Sequence, residues 1–129
     1  IKDGKLTAIH GSTPYCRYLG LKPTGNFSKT RCDNQGSESF EDMKKKPCLV
    51  AVTFSDFQTD AMSGHFGGEI RLAYLVEDGK ITPVTGGSVN GNLIEAQQNV
   101  VFSQDRYVSA GYEGPYAAKF ENVSVAGVE

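Results

Sequence analysis

Apolar and polar positions alternate most regularly where Ile70, Leu72, Tyr74 and Val76 take turns with Arg71, Ala73 and Leu75. A period of two predicts a strand. Asp78-Gly79 follows, and residues Ile81 to Thr85 supply a return arm. An Asp-Gly pair provides the two φ > 0 positions of a type I′ turn, so the segment reads as a β-hairpin. The same signature stands near the start, with Asp3-Gly4 between Ile1-Lys2 and Lys5-Leu6. Only two residues precede that turn, so it is expected to be half of a hairpin belonging to a longer protein.

Other segments carry end signals rather than long periodicities. Thr13 reads as an N-cap with Pro14 at the first helical position, and Gly20 as the residue after the end, which predicts a helix of one or two turns. Lys22 to Gly36 lacks periodicity and predicts a long loop. Ser39, with Glu41 and Asp42 behind it and Lys44 to Lys46 farther on, suits both ends of a helix dipole, and Pro47 stops that helix. Cys48 to Phe54 predicts a buried strand. Gly86-Gly87 and Asn90-Gly91 bracket another strand, and Asn92 caps a helix over Leu93 to Asn99 in which Leu93, Ala96 and Val100 share a face. Along the tail, Ala118, Phe120, Asn122 and Ser124 face away from Lys119, Glu121, Val123 and Val125, predicting one final strand.

Composition agrees with a strand-rich chain. Val, Ile, Thr, Phe and Tyr number 37 against 18 for Leu, Ala and Met. The expected class is therefore α+β and mainly β, with antiparallel strands in a sandwich- or barrel-like arrangement and two or three short helices. With 129 residues the chain is expected to be a single domain, 1–129. Thirteen Lys plus Arg against fifteen Asp plus Glu give a net charge of -2, which excludes the broad basic face of a nucleic-acid binder. Apolar runs such as Leu49 to Val52 are far too short to span a bilayer as a helix. Three cysteines, Cys16, Cys32 and Cys48, form no C-x-x-C pair, and their odd number suits reduced thiols in the cytoplasm better than a disulfide framework.

Candidate chemistry is sparse. His10 and His65 are isolated from one another and from cysteines at ligand spacing, which argues against a metal site built within this chain. Ser12 and Ser63 adjoin glycines but lie outside a G-x-S-x-G elbow. Gly86 to Gly91 has the glycine content of a phosphate loop without its Lys-Ser/Thr, and so reads as turns. Asp56, Asp60, Glu69 and Glu77 could serve acid–base work, although nothing in the sequence fixes two of them at one place. No catalytic, cofactor-binding or metal-ligating residue is assigned.

Several segments in order resemble the C-terminal domain of the TldD/PmbA family, metalloprotease-related proteins also described as modulators of DNA gyrase. Tyr15-Cys16-Arg17-Tyr18-Leu19-Gly20-Leu21-Lys22-Pro23-Thr24-Gly25-Asn26 is similar to the family's A-R-x-L-G-L-x-S/P-T-G-N. Ser63-Gly64-His65-Phe66 and then Tyr74-Leu75-Val76-Glu77-Asp78-Gly79-Lys80-Ile81 resemble S/T-G-D-F followed by Y-L-I-E-N-G-K-I. Gly114-Pro115 and Phe120 to Gly127 resemble the terminal G-x-P and L-T-V-x-G. His65 departs from the family's usual Asp, which is expected to change only the hydrogen bonding of the turn. The segment Thr30 to Gly36 also departs from the family pattern.

The resemblance implies a domain that helps to form a peptide-substrate cleft and a subunit interface in a longer TldD/PmbA-like protein, without being catalytic alone. Metal-containing relatives hold zinc mainly through an H-E-x-x-x-H helix in an N-terminal domain, completed by a late cysteine. Between Gly91 and Gly114, where that cysteine would fall, stand Gln97, Gln98, Ser103 and Gln104 but no thiol, so no cofactor is expected in this chain. Implied partners are a peptide or unfolded polypeptide and a second TldD/PmbA-like subunit, with no nucleic acid and no membrane. The alternative is a stand-alone β-rich binding or surface module with no protease role.

Overall fold

The computed structural model describes residues 2–7, 10–25 and 28–127. In chain order the elements are α1 (Thr13–Tyr18), β1 (Thr30–Arg31), α2 (Phe40–Met43), β2 (Cys48–Thr59), β3 (His65–Glu77), β4 (Lys80–Val84), β5 (Ser88–Asn92), α3 (Leu93–Ala96) with a 3₁₀ turn (Gln97–Asn99), β6 (Val101–Phe102), β7 (Arg106–Val108), β8 (Tyr112–Pro115), β9 (Ala118–Lys119) and β10 (Ser124–Ala126). The chain is mainly β with three short helices, as its composition predicts. The sheets keep open edges and do not close into a barrel. None of the described helices is long and apolar enough to cross a membrane.

The chain divides into two compact units, residues 1–31 with 108–113 and residues 32–107 with 114–129. In the first unit, Lys2 and Lys5 exchange both backbone hydrogen bonds at 2.9 Å around Asp3 and Gly4, whose φ values are 51° and 71°. That is the turn Asp3-Gly4 predicts, although Ile1 lies outside the described residues. Helix α1 is capped one residue earlier than expected. Ser12 occupies the cap without a side-chain bond, so its start rests on Pro14 and on the backbone bond from Cys16 N to Ser12 O. Cys16 is buried while Tyr15, Tyr18, Leu19 and Leu21 are exposed. The predicted loop after Lys22 contains β1, which pairs in parallel with β8 through Thr30 opposite Tyr112 and Arg31 opposite Glu113. A two-residue parallel pairing has no local signature because its partner lies some eighty residues away.

The second unit is built on β3, which pairs with β2 on one side and with β5 and β4 in succession on the other, while β10 adds to β5. The β3–β4 turn is the predicted hairpin, with Asp78 and Gly79 at φ 50° and 75°. Along β3 the buried positions are Ile70, Ala73 and Val76, and Tyr74 is exposed. The simple alternation therefore fails between Ile70 and Ala73, where Phe54 and Thr53 of β2 pair with Ile70 and Leu72 and leave Arg71 as an extra residue on β3. Between Ala51 and Asp56 the β2–β3 register slips three times, and each slip re-aims the side chains that follow.

Four further expectations are corrected. The strand begun at Cys48 runs to Thr59 and is mostly exposed, because it lies at a sheet edge with β3 as its one neighbour. Asn90-Gly91 lies within β5 rather than bounding it, and Leu93 is exposed although Ala96 is buried. The tail is two strands, broken where Asn122 turns at φ 61°. Strands β6, β7 and β8 had no readable pattern, since each is four residues or shorter. The helix caps are as predicted in two cases: Ser39 accepts from Asp42 N, and Asn92 accepts from Ile94 N at 2.9 Å.

Candidate functional site

The glycines of β3 and β5 shape both faces of the sheet. Gln58, Gly67, Asn90 and Ser124 stand opposite one another on β2, β3, β5 and β10, so they share a face. Two residues along lies the row Asp56, Glu69, Ser88 and Ala126. This face is polar. The opposite face carries Phe57, Gly68, Val89 and Val125, with Phe66 opposite Gly91. Phe57 and Phe66 stack with centroids 5.9 Å apart, and Phe54 lies 5.0 Å from Phe57. A Cβ on Gly68 would fall 2.5 Å from the Phe57 ring, and one on Gly91 would fall 2.6 Å from the Phe66 ring. The aromatic rings therefore lie directly on glycine backbone.

At the end of the polar face, an open groove of about 640 Å³ is lined by Gln58, Asp60, His65, Asn90, Glu95 and Asn122 among others. Its floor is bare backbone at Gly67, over which the Asn90 amide leans: a Cβ there would meet Asn90 Oδ1 at 2.8 Å. One wall is the β2–β3 turn. Asp60 accepts from Met62 N at 2.8 Å and from the Ser63 hydroxyl, while Gly64 N donates to Asp60 O at 2.8 Å. The Ser63 hydroxyl first, then the Met62 N–H, hold the Asp60 carboxyl below its usual range, and nearby His65 adds to the effect. The turn is fastened to α3: Leu93 N donates to Gly64 O at 2.7 Å, and Asn92 Nδ2 donates to Ser63 O at 3.0 Å. Glu95, Asn122 and Ser124 make no side-chain hydrogen bond to the described residues.

Of the residues weighed from sequence, Asp56 and Glu69 are brought together as cross-strand partners, which sequence spacing did not reveal. Each has a neutral neighbour, Gln58 Nε2 donating to Asp56 and Ser55 Oγ donating to Glu69 at 2.6 Å. Asp60 and His65 line the groove, Asp56 and Glu69 stand outside its lining, and Glu77 ends β3 at its far end. Ser12 is a helix cap and Ser63 a turn residue. Ser103, one of the residues singled out between Gly91 and Gly114, is fully buried, donating to Asp105 O and accepting from Ala117 N, both at 2.9 Å. Gly36 packs on its carbonyl so closely that a Cβ would lie 2.1 Å away.

Catalytic zinc requires three converging protein ligands. Among the described residues no three of His, Cys, Asp and Glu gather in that way. The three cysteines are free, with Cys16 buried and Cys32 and Cys48 half-buried. The donors among the described residues therefore do not fit a zinc centre.

Residues 1–127 match the family described as PmbA/TldA metallopeptidase C-terminal domain. The chain is 32% identical to a metalloprotease TldD homolog of Haemophilus influenzae and 30% identical to one of Buchnera aphidicola. These alignments cover 82% and 78% of the chain and 25% and 24% of the relatives, so the chain spans about a quarter of their length. Among solved structures, a Bacteroides thetaiotaomicron protein assigned as a modulator of DNA gyrase superposes with a TM-score of 0.65 at 23% identity, covering 91% of this chain and 27% of that one. TldE from Thermococcus kodakarensis gives 0.62 at 21%, covering 88% and 30%. At these identities the structural likeness shows the fold.

Proposed function

Because the chain belongs to the PmbA/TldA metallopeptidase C-terminal domain family, we propose that it helps to hold an extended polypeptide in a longer TldD/PmbA-like protein. In this reading it lines the substrate cleft, contributes to the interface with a second such subunit, works in the cytoplasm, and leaves hydrolysis to residues it does not contain. The observation that carries the reading is the edge of β2. Among the described residues this twelve-residue strand pairs with β3 alone, so along its outer side the backbone N–H and C=O groups are available to an added strand. Exposed edges invite unwanted pairing, and bulges are a common defence. Here Val52 and Ser55 fall at the register slips between Ala51 and Asp56. The edge is thereby divided into two regular stretches, Cys48 to Ala51 and Asp56 to Thr59, each suited to a short extended segment.

The test has two parts. Hydrogen exchange of the β2 amides should slow when an extended apolar peptide is added. Metal analysis after dialysis against a weak chelator, paired with a peptide-cleavage assay in added zinc, should find no stoichiometric metal and no turnover. One tightly held equivalent of zinc, with cleavage abolished by chelation, would overturn the non-catalytic assignment, and β2 exchange unaffected by peptide would overturn the edge.

A further inference from the structure

We propose that the groove at the end of the polar face binds the main chain of a short, extended polypeptide segment that carries Lys or Arg. This deepens the reading of the chain as a polypeptide-holding domain and rests on it, but it places a second contact on the face of the sheet, apart from the β2 edge.

Three features select that ligand. The first is the side-chain amides of Gln58, Asn90 and Asn122. Each offers both a donor and an acceptor, the same pair that every residue of an extended main chain presents and must satisfy. Asn122 makes no hydrogen bond to the described residues, and the Gln58 and Asn90 amides are tied only through their NH₂ groups, to Asp56 and to Ser88, leaving the carbonyl oxygens for a ligand. The second is the bare backbone of Gly67, which lets the Asn90 amide lie low on the sheet, with Asn90 Oδ1 only 2.8 Å from where a Cβ would stand, so that a ligand main chain can approach that oxygen along the open groove. From β2 to β10 the groove crosses three strand spacings, about 14 Å at ~4.8 Å each, the reach of about four extended residues.

The third is charge. The lining contains Asp60 and Glu95 and neither Lys nor Arg, and Asp56 and Glu69 stand in the next row of the same face. Asp60 is already engaged in its turn and contributes field alone. Glu95, on the first turn of α3 and without a hydrogen-bond partner among the described residues, is the group left to meet a cation. A phosphate or a nucleic acid would meet two carboxylates and neither Lys nor Arg here, and an acidic peptide would be disfavoured for the same reason.

The probe is the acetylated, amidated peptide Ser-Lys-Ser-Lys-Ser-Gly, compared with its counterpart in which Glu replaces Lys, each titrated into the ¹⁵N-labelled chain. The Lys peptide should shift the side-chain amides of Gln58, Asn90 and Asn122 and the backbone amide of Gly67. It should bind about fivefold more tightly than the Glu peptide, the contribution of one exposed ion pair at its upper range. Glu95→Lys, an exposed substitution, should remove that preference with an unchanged melting temperature. Gly67→Val, which fills the floor, should remove binding of both peptides at this site. Equal affinity for the two peptides would overturn the proposal. So would shifts confined to Cys48–Ala51, although the edge reading would then stand, whereas no shift in either region would remove both.

Discussion

The unit built around β3 and the unit containing the N-terminal residues are ordered by different means. In the first, β3 is paired along both sides and buries Ile70, Ala73 and Val76 at 5% exposure or less. In the second, a six-residue helix and a two-residue strand bury Cys16, while Tyr15, Leu19 and Tyr18 remain 72%, 72% and 88% exposed. The family-like stretch Tyr15 to Asn26 falls in that sparsely packed unit. The sheet unit carries the fold, and the N-terminal unit carries much of the resemblance.

The comparison predicts where substitutions will be felt. The largest effect is expected at Gly87→Ala in the sheet unit. Gly87 has φ 78°, and a Cβ there would lie 2.2 Å from the Ala126 carbonyl oxygen. Left-handed strain and displacement of β10 together should cost about 3 kcal/mol, measured by urea unfolding, and a wild-type midpoint would contradict the β5–β10 register. Next comes Gly79→Val at the hairpin. The site has open space but φ 75°, so a β-branched residue should cost at least ~1 kcal/mol while Asn costs much less. Equal melting temperatures for the Val and Asn variants would argue against the type I′ turn.

In the N-terminal unit, Tyr18→Ser should change stability by no more than about 0.5 kcal/mol, because the ring is nearly all in solvent. A loss of several kcal/mol would show that this unit packs more tightly than its side chains indicate, and would dissolve the contrast. The smallest effect concerns Asp42 in α2, fully exposed, whose carboxyl is lowered to about 2 from 3.8, first by the Lys45 ammonium and then by the Ser39 hydroxyl. A depressed acid contributes its stability above the unfolded value and loses it as pH falls through the folded one. The melting temperature should therefore drop slightly more between pH 4 and pH 2 in the wild type than in Asp42→Asn, and more so at low salt. Parallel pH profiles would show that the Lys45 pairing is not populated in solution.

The sequence by itself determined the features that depend on neighbours along the chain. The Asp-Gly turns, the Ser39 and Asn92 caps and the alternation that opens β3 were legible because a φ > 0 requirement, an orphan helix N–H and a two-residue period are all satisfied within a few residues. Family membership was legible for a related reason, since ordered motifs survive as strings. What only the tertiary structure decided was everything that pairs distant segments: β1 on β8, β6 on β9, the slips between β2 and β3, and the edge position that leaves β2 exposed despite its apolar composition. The groove belongs to the same class. Gln58, Gly67, Asn90 and Ser124 come from four strands that intervening turns and helices separate in the sequence. They become one row of the polar face because hydrogen-bond register, rather than any property of the individual residues, sets which side chains stand side by side.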